Sequence, residues 1–281
     1  MNRYFLMFCR FLLIAILMAN FLSCKEEMPW EVTPDDPPTE DPVNNNKPQG
    51  GVNLRPLFEQ YGLTASNQGA RGTCGVFATT GMIEFERAHA LKEVNRLSQE
   101  YLNWAADMAE GIRADGALLE HLMEGLALYG ICEASYMPYE ANYNPLLQPS
   151  AAAKENAAPR KGGKAVWIKH WAPGKDYVGW TSKHFDQVIK LLDDGHPVAV
   201  GTVWSKVFLN DGEIPMQDED EVNWGGHGIL FVGYQYDEKK AGGGYFIFRN
   251  SWGESFGDKG YGTMPFAFAL KYANDAVALN Y

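Results

Sequence analysis

Cysteine is scarce in this chain, with four in 281 residues. Cys9 falls inside an apolar N-terminal run and Cys24 at its end. Only Cys74 and Cys132 belong to the body, and two thiols allow at most one bridge, which excludes a disulfide scaffold. Positive charge is also in short supply: 24 Lys and Arg stand against 35 Asp and Glu, a net charge of −11. That balance leaves no electrostatic footprint for nucleic acid. No segment repeats with a period of about 20–50 residues, so a solenoid or propeller is excluded. The Gly242–Gly244 run lacks the Lys-Ser/Thr of a phosphate loop and the spacing of a dinucleotide turn. Neither a cofactor nor a metal is expected. With 46% hydrophobic and 21% charged residues, the chain has material for one large domain or two small ones.

What is present begins with a leader. Arg3 and Arg10 precede twelve nearly continuous apolar residues, Phe11 to Leu22. That run is too short to span a bilayer but suits a signal-peptide core. Phe21-Leu22-Ser23-Cys24 resembles a bacterial lipobox, which implies a signal peptide over 1–23, cleavage before Cys24 and lipidation of that cysteine. More than one acyl chain gives stable anchoring, so the expected location is a bacterial outer membrane. Lys25-Glu26-Glu27 resembles a sorting signal for display on the cell surface. Residues 24–50, with Pro29, Pro34, Pro37, Pro38, Pro42 and Pro48 among acids and asparagines, cannot bury enough apolar area to fold. They read as a semi-extended tether of at most roughly 80 Å. The folded domain is expected over 51–281.

The most informative segment is Asn67-Gln68-Gly69-Ala70-Arg71-Gly72-Thr73-Cys74-Gly75-Val76-Phe77-Ala78. Gly69 and Gly72 mark a tight loop, and Phe77, Met82 and Phe85 then recur at helical spacing. Cys74 is therefore expected at a loop-to-helix junction, where unpaired amides and the helix dipole favour a thiolate. A second segment, Trp224-Gly225-Gly226-His227-Gly228-Ile229-Leu230-Phe231-Val232, sets a histidine between glycines at the head of an apolar strand. A third, Tyr245-Phe246-Ile247-Phe248-Arg249-Asn250-Ser251-Trp252-Gly253, reads as the next strand and its exit. The other five histidines have no partner at useful spacing.

In this order the three segments resemble the papain family of cysteine peptidases. The resemblance implies Cys74 as nucleophile, His227 as general base and acid, and Asn250 orienting the imidazole. Gln68, six residues before Cys74, would share an oxyanion hole with the Cys74 amide. Trp252 would cover the His–Asn contact, and Gly226 and Gly116 would border the bound peptide. Weaker echoes occur at Asn53-Leu54-Arg55, Leu97–Leu102, Gly130–Glu133 and Tyr136–Tyr139. The implied fold is α+β in two lobes, helical over about 60–165 and a barrel-like antiparallel sheet over about 166–270, with the cleft between them. Helices are expected near 98–109, 116–129 and 183–194, and strands near 197–204, 227–236, 244–249 and 261–265. The implied partners are a peptide or protein substrate and a membrane, through lipid on Cys24; a monomer is expected.

Four features depart from that pattern. Gly75 stands where the family has tryptophan, and Trp104 or Trp224 is expected to refill the space. Arg71 takes the place of a bridging cysteine; it is either a surface residue or a cation that lowers the Cys74 pKa. No long helical prosegment is read between Cys24 and Val52. The run Asp218–Glu221 is either a solvated loop, a cleft-edge patch for basic side chains or a weak calcium site. Two alternatives stand beside a peptidase of proteins: a weak or inactive surface binding protein of the same fold, and a peptidase of cell-wall peptides.

Overall fold

A computed structural model describes residues 50–281 with the exception of Asn210. The expected signal segment, Cys24 and nearly all of the expected tether lie outside those residues. A helix of thirteen residues, α2 (Cys74–Glu86), runs through the middle. Val76 to Glu86 are all buried, Glu84 and Glu86 included, and a helix buried on every side needs partners all round. It finds them in α3 (Gln99–Glu110) and α4 (Leu119–Tyr129) and in strands β3 (Val198–Ser205) and β4 (Val222–Tyr236). Short helices α1 (Arg55–Gln60) and α5 (Ala151–Ala157) complete the helical part. Ser98 starts α3 by accepting the Tyr101 N–H at 2.9 Å, and Gly111 ends it at φ +78°.

The sheet is antiparallel throughout, in the order β2 (Lys164–Lys169), β7 (Ala273–Asn280), β3, β4, β5 (Gly244–Arg249), β6 (Tyr261–Pro265), with β1 (Gly51–Asn53) added to β4. β4 is fifteen residues long, pairing first with β3 and then with β5 and β1. Its residues Ile229–Tyr234 are buried without alternation. The strand is covered by α2 and by α6 (Ser182–Asp193), so both of its faces have a use for apolar side chains. Helix α7 (Phe266–Tyr272) follows β6. One apolar core runs from α2 through the sheet, and a smaller one gathers Tyr101, Trp104 and Cys132.

The expected α+β architecture is the one observed, and the sheet is wider than the sequence suggested. β1 joins it from before the helical segment, and β7 continues past residue 270 to Asn280. β7 is rich in alanine, a poor strand former, and is held by pairing with β2 and β3 instead. β4 begins at Val222, five residues earlier than expected, because Asn223 pairs with Trp204 beyond the glycines.

Candidate active site

Cys74 is the first residue of α2, and the loop before it is fastened at several points. The Gln68 N–H donates to Ser251 O at 2.8 Å, and Gln68 Nε2 donates to Arg71 O at 2.7 Å. The Ser251 hydroxyl donates to Gln68 Oε1. Tyr139 donates its hydroxyl to Gln68 O at 2.9 Å and lies 2.6 Å from Thr73 Oγ1. Arg71 neither sits on the surface nor serves Cys74. It is 5% exposed, with Nη1 on Glu100 Oε2 at 2.6 Å, Nε on Asp115 Oδ1 at 2.9 Å and Nη1 on the Glu140 carbonyl at 2.8 Å. Its guanidinium lies over the Tyr139 ring, 4.5 Å from the centroid. An ion-paired cluster thus fastens this loop without a disulfide; Cys74 and Cys132 are both free thiols.

The expectation of a depressed thiol pKa is corrected. Burial pushes the Cys74 thiol up, and the amides of Gly228, Gly75 and Cys74 itself oppose that without winning. The helix start supplies the stabilising N–H groups, but removal of water costs the thiolate more than they return. His227 moves in the matching direction: burial lowers its pKa to about 4, against the Asn250 hydrogen bond that raises it. Both shifts favour the uncharged pair, thiol and imidazole.

His227 lies on β4 opposite Thr202, and the next residue explains its position relative to Cys74. A Cβ on Gly228 would meet Gly75 N at 2.6 Å and the Cys74 carbonyl carbon at 3.0 Å. Only glycine lets this strand lie directly on the start of α2, and the contact brings the two reactive side chains to one place. His227 Nε2 is 2.8 Å from Asn250 Oδ1, at the end of β5. That oxygen also accepts the Ser251 N–H at 2.8 Å, which fixes the amide so that its carbonyl faces the ring. The neutral imidazole therefore carries hydrogen on Nε2 and keeps a lone pair on Nδ1.

Two tryptophans flank the imidazole, with ring centroids 4.4 Å away for Trp204 and 5.1 Å for Trp252. Trp252 was legible in the sequence. Trp204 was not; its only signal is two-residue spacing from Thr202, and that is meaningful once β3 is known to pair with β4.

Cys74 and His227 line the same cleft, about 600 Å³ in volume. Gly226 lines it too, exposed and at φ +75°. Gly116 is half-buried; its N–H donates to Asn103 Oδ1 at 2.9 Å, and Ala117 is the neighbour that borders the cleft. The space beside Gly75 is not refilled by a tryptophan. Trp104 belongs to the smaller core, and Trp224 borders the cleft while donating Nε1–H to Glu219 O at 3.1 Å. Instead, a Cβ on Gly75 would meet Ala117 O at 3.1 Å and Leu122 at 3.7 Å: the approach to α4 has closed in. Asp218–Glu221 are exposed, and no group of three or more His, Cys, Asp or Glu that could hold a metal occurs among the described residues.

The model of the papain family of cysteine proteases matches residues 59–273. The chain is 28% identical over 228 residues to cysteine proteinase A of Leishmania mexicana, covering 78% of this chain and 56% of that protein. It is 27% identical over 223 residues to an uncharacterized peptidase C1-like protein of Acanthamoeba polyphaga mimivirus, covering 73% of this chain and 65% of that one. It thus spans between about half and two thirds of the length of these relatives. Xylellain, a cysteine protease from Xylella fastidiosa, shares the fold with a TM-score of 0.66 at 23% identity, over 82% of this chain and 85% of that one. With a family model matching from α1 to the start of β7 and this fold around Cys74, the chain belongs to the papain family of cysteine proteases.

Proposed function

We propose that the protein is a cysteine-type peptidase that cleaves peptide bonds through Cys74, His227 and Asn250. The observation that carries this is the His227 Nε2–Asn250 Oδ1 contact of 2.8 Å on a strand whose Gly228 lies against the Cys74–Gly75 backbone. The peptide carbonyl enters the cleft, and Cys74 Sγ attacks its carbon as His227 Nδ1 takes the thiol proton. The oxyanion takes hydrogen bonds from the Cys74 N–H and from Gln68 Nε2, which has a second hydrogen besides the one given to Arg71 O. His227 then protonates the departing amine, and a water deprotonated by His227 hydrolyses the thioester. Asn250 holds the ring for each transfer, and Trp204 and Trp252 keep water from that contact. Labelling with an epoxide or fluoromethyl-ketone probe in reducing buffer tests the claim. Wild type is expected to label and Cys74→Ala to stay unlabelled; a wild type that does not label ends it.

The motif at 21–24 supports a lipid anchor on Cys24, with the proline-rich segment spacing the enzyme from a bacterial outer membrane. Incorporation of an alkynyl fatty acid into wild type, absent from Cys24→Ala, is the expected result.

A further inference from the structure

The oxyanion of the proposed reaction needs two donors from separate stretches of chain, Gln68 Nε2 and the Cys74 N–H, held at a fixed spacing. The Gln68 amide is aimed through its own side chain: Oε1 accepts the Ser251 hydroxyl, and one Nε2 hydrogen goes to Arg71 O at 2.7 Å. The Cys74 N–H follows Thr73, whose carbonyl opens α2 by accepting the Phe77 N–H at 3.0 Å. One group touches both stretches, and the reaction described above does not use it. The Tyr139 hydroxyl lies 2.9 Å from Gln68 O and 2.6 Å from Thr73 Oγ1.

A carbonyl can only accept, so the phenol proton goes to Gln68 O and the phenol oxygen accepts from Thr73. That second bond accounts for an oddity at the helix start. Threonine is a favoured capping residue, yet Thr73, fully buried at the N-cap of α2, gives its side chain to no helix amide. Its hydroxyl is committed to Tyr139 instead. Tyr139 is itself held in place. Its ring centroid is 4.5 Å from the Arg71 guanidinium carbon and 4.9 Å from the Phe77 ring, which meets it edge-on. The next residue is tied at both ends: Glu140 O accepts Arg71 Nη1 at 2.8 Å, and the Glu140 N–H donates to Glu100 Oε2 at 3.1 Å. The ion-paired cluster thus fixes Tyr139, and Tyr139 fixes the two donor stretches relative to each other. Gly72 and Cys74 line the cleft and Tyr139 is not among the residues that do, so its effect on a bound peptide passes through the loop.

We propose that Tyr139 is a positioning residue for the oxyanion hole, its hydroxyl setting the spacing between Gln68 and Cys74. This rests on the peptidase reading. Tyr139→Phe removes the hydroxyl and keeps the ring, and two reagents read its effect separately. A peptide aldehyde adds the Cys74 S–H across its C=O, forming a hemithioacetal whose oxygen takes the place of the oxyanion. Iodoacetamide loses iodide to the same sulfur, and no oxyanion forms. In Tyr139→Phe, kcat for a fluorogenic peptide and affinity for the aldehyde are expected to fall together by about tenfold or more, with KM and the alkylation rate within about twofold of wild type. Thr73→Val breaks the contact from the other partner, keeps the buried shape, and is expected to show the same split; it serves also if Tyr139→Phe does not fold. Aldehyde affinity and kcat that do not change overturn the proposal. So does an equal loss of alkylation and aldehyde affinity, which would mean that the hydroxyl only stabilises the loop. A wild type that binds no aldehyde and turns over no peptide sinks the peptidase reading, whereas a wild type that does both, with the variants unchanged, sinks the positioning role alone.

Discussion

On the Cys74 side of the cleft the chain is fastened by buried charge, and on the His227 side by aromatic rings and strand pairing. Arg71, Glu100 and Asp115 tie the nucleophile's loop to α3 and to the segment before α4. Trp204, Trp252 and the β3–β4 ladder hold the histidine. The ionic side depends on complete pairing, because a buried charge that loses its partner retains its desolvation cost. The aromatic side loses contact area in proportion to what is removed and leaves no charge behind. Chemistry and stability are therefore expected to fail differently on the two sides.

The largest effect should come from His227→Ala, which removes the proposed proton acceptor and spares the ionic side. A fall in kcat/KM of about 10³-fold or more is expected, and Cys74→Ala/His227→Ala should be little worse, since the two act as a unit. Fluorogenic peptides measure this; additive losses would break the pairing. Arg71→Ala comes next and acts on stability, with about 3–5 kcal/mol lost in chemical denaturation because Glu100 is left buried without its cation, keeping only the Glu140 N–H at 3.1 Å. A loss below about 1 kcal/mol would show that the cluster is not what fastens the loop.

The third concerns pH. With its pKa lowered from 6.5 to about 4, His227 refuses a proton that the unfolded chain binds. Its contribution to stability is therefore present above pH 6.5 and is lost as pH falls toward 4, about 3 kcal/mol in all. Glu86, raised to about 7, and Asp275, raised to about 6, titrate in the same range. Comparing wild type with His227→Gln by urea unfolding at several pH values cancels them, and a difference that does not change with pH would contradict the shift. The smallest effect is that of Gly75→Ala. The gain in helix propensity is set against a Cβ only 3.1 Å from the Ala117 carbonyl, a backbone atom that cannot rotate away. A net loss under about 1 kcal/mol is expected by thermal melting, and a clear gain would mean that the approach to α4 yields readily.

Much of this was legible in the residues. The loop before Cys74, the glycines around His227 and the strand ending in Asn250 are local patterns, and local patterns survive without coordinates. The same holds for α2, α3, α6 and the strands from β3 to β6, whose periodicity or apolar runs announce them. Trp204 and the Arg71 cluster depend on which distant segments meet. An arginine between two glycines resembles a surface residue until Glu100, 29 positions on, is found beside it. β7 is alanine-rich and becomes a strand only because β2 and β3 pair with it.

By itself, then, the sequence determined the family and the order along the chain of the side chains proposed to attack, accept a proton and orient. Tertiary structure decided the state in which those groups wait and what surrounds them. It buried the thiol and the imidazole, which raises the pKa of one and lowers that of the other, filled the space at Gly75 with the approach to α4, and set Asp275 in the cleft wall. Residue identity and spacing are written in the chain. Desolvation and long-range pairing exist only once the segments have packed.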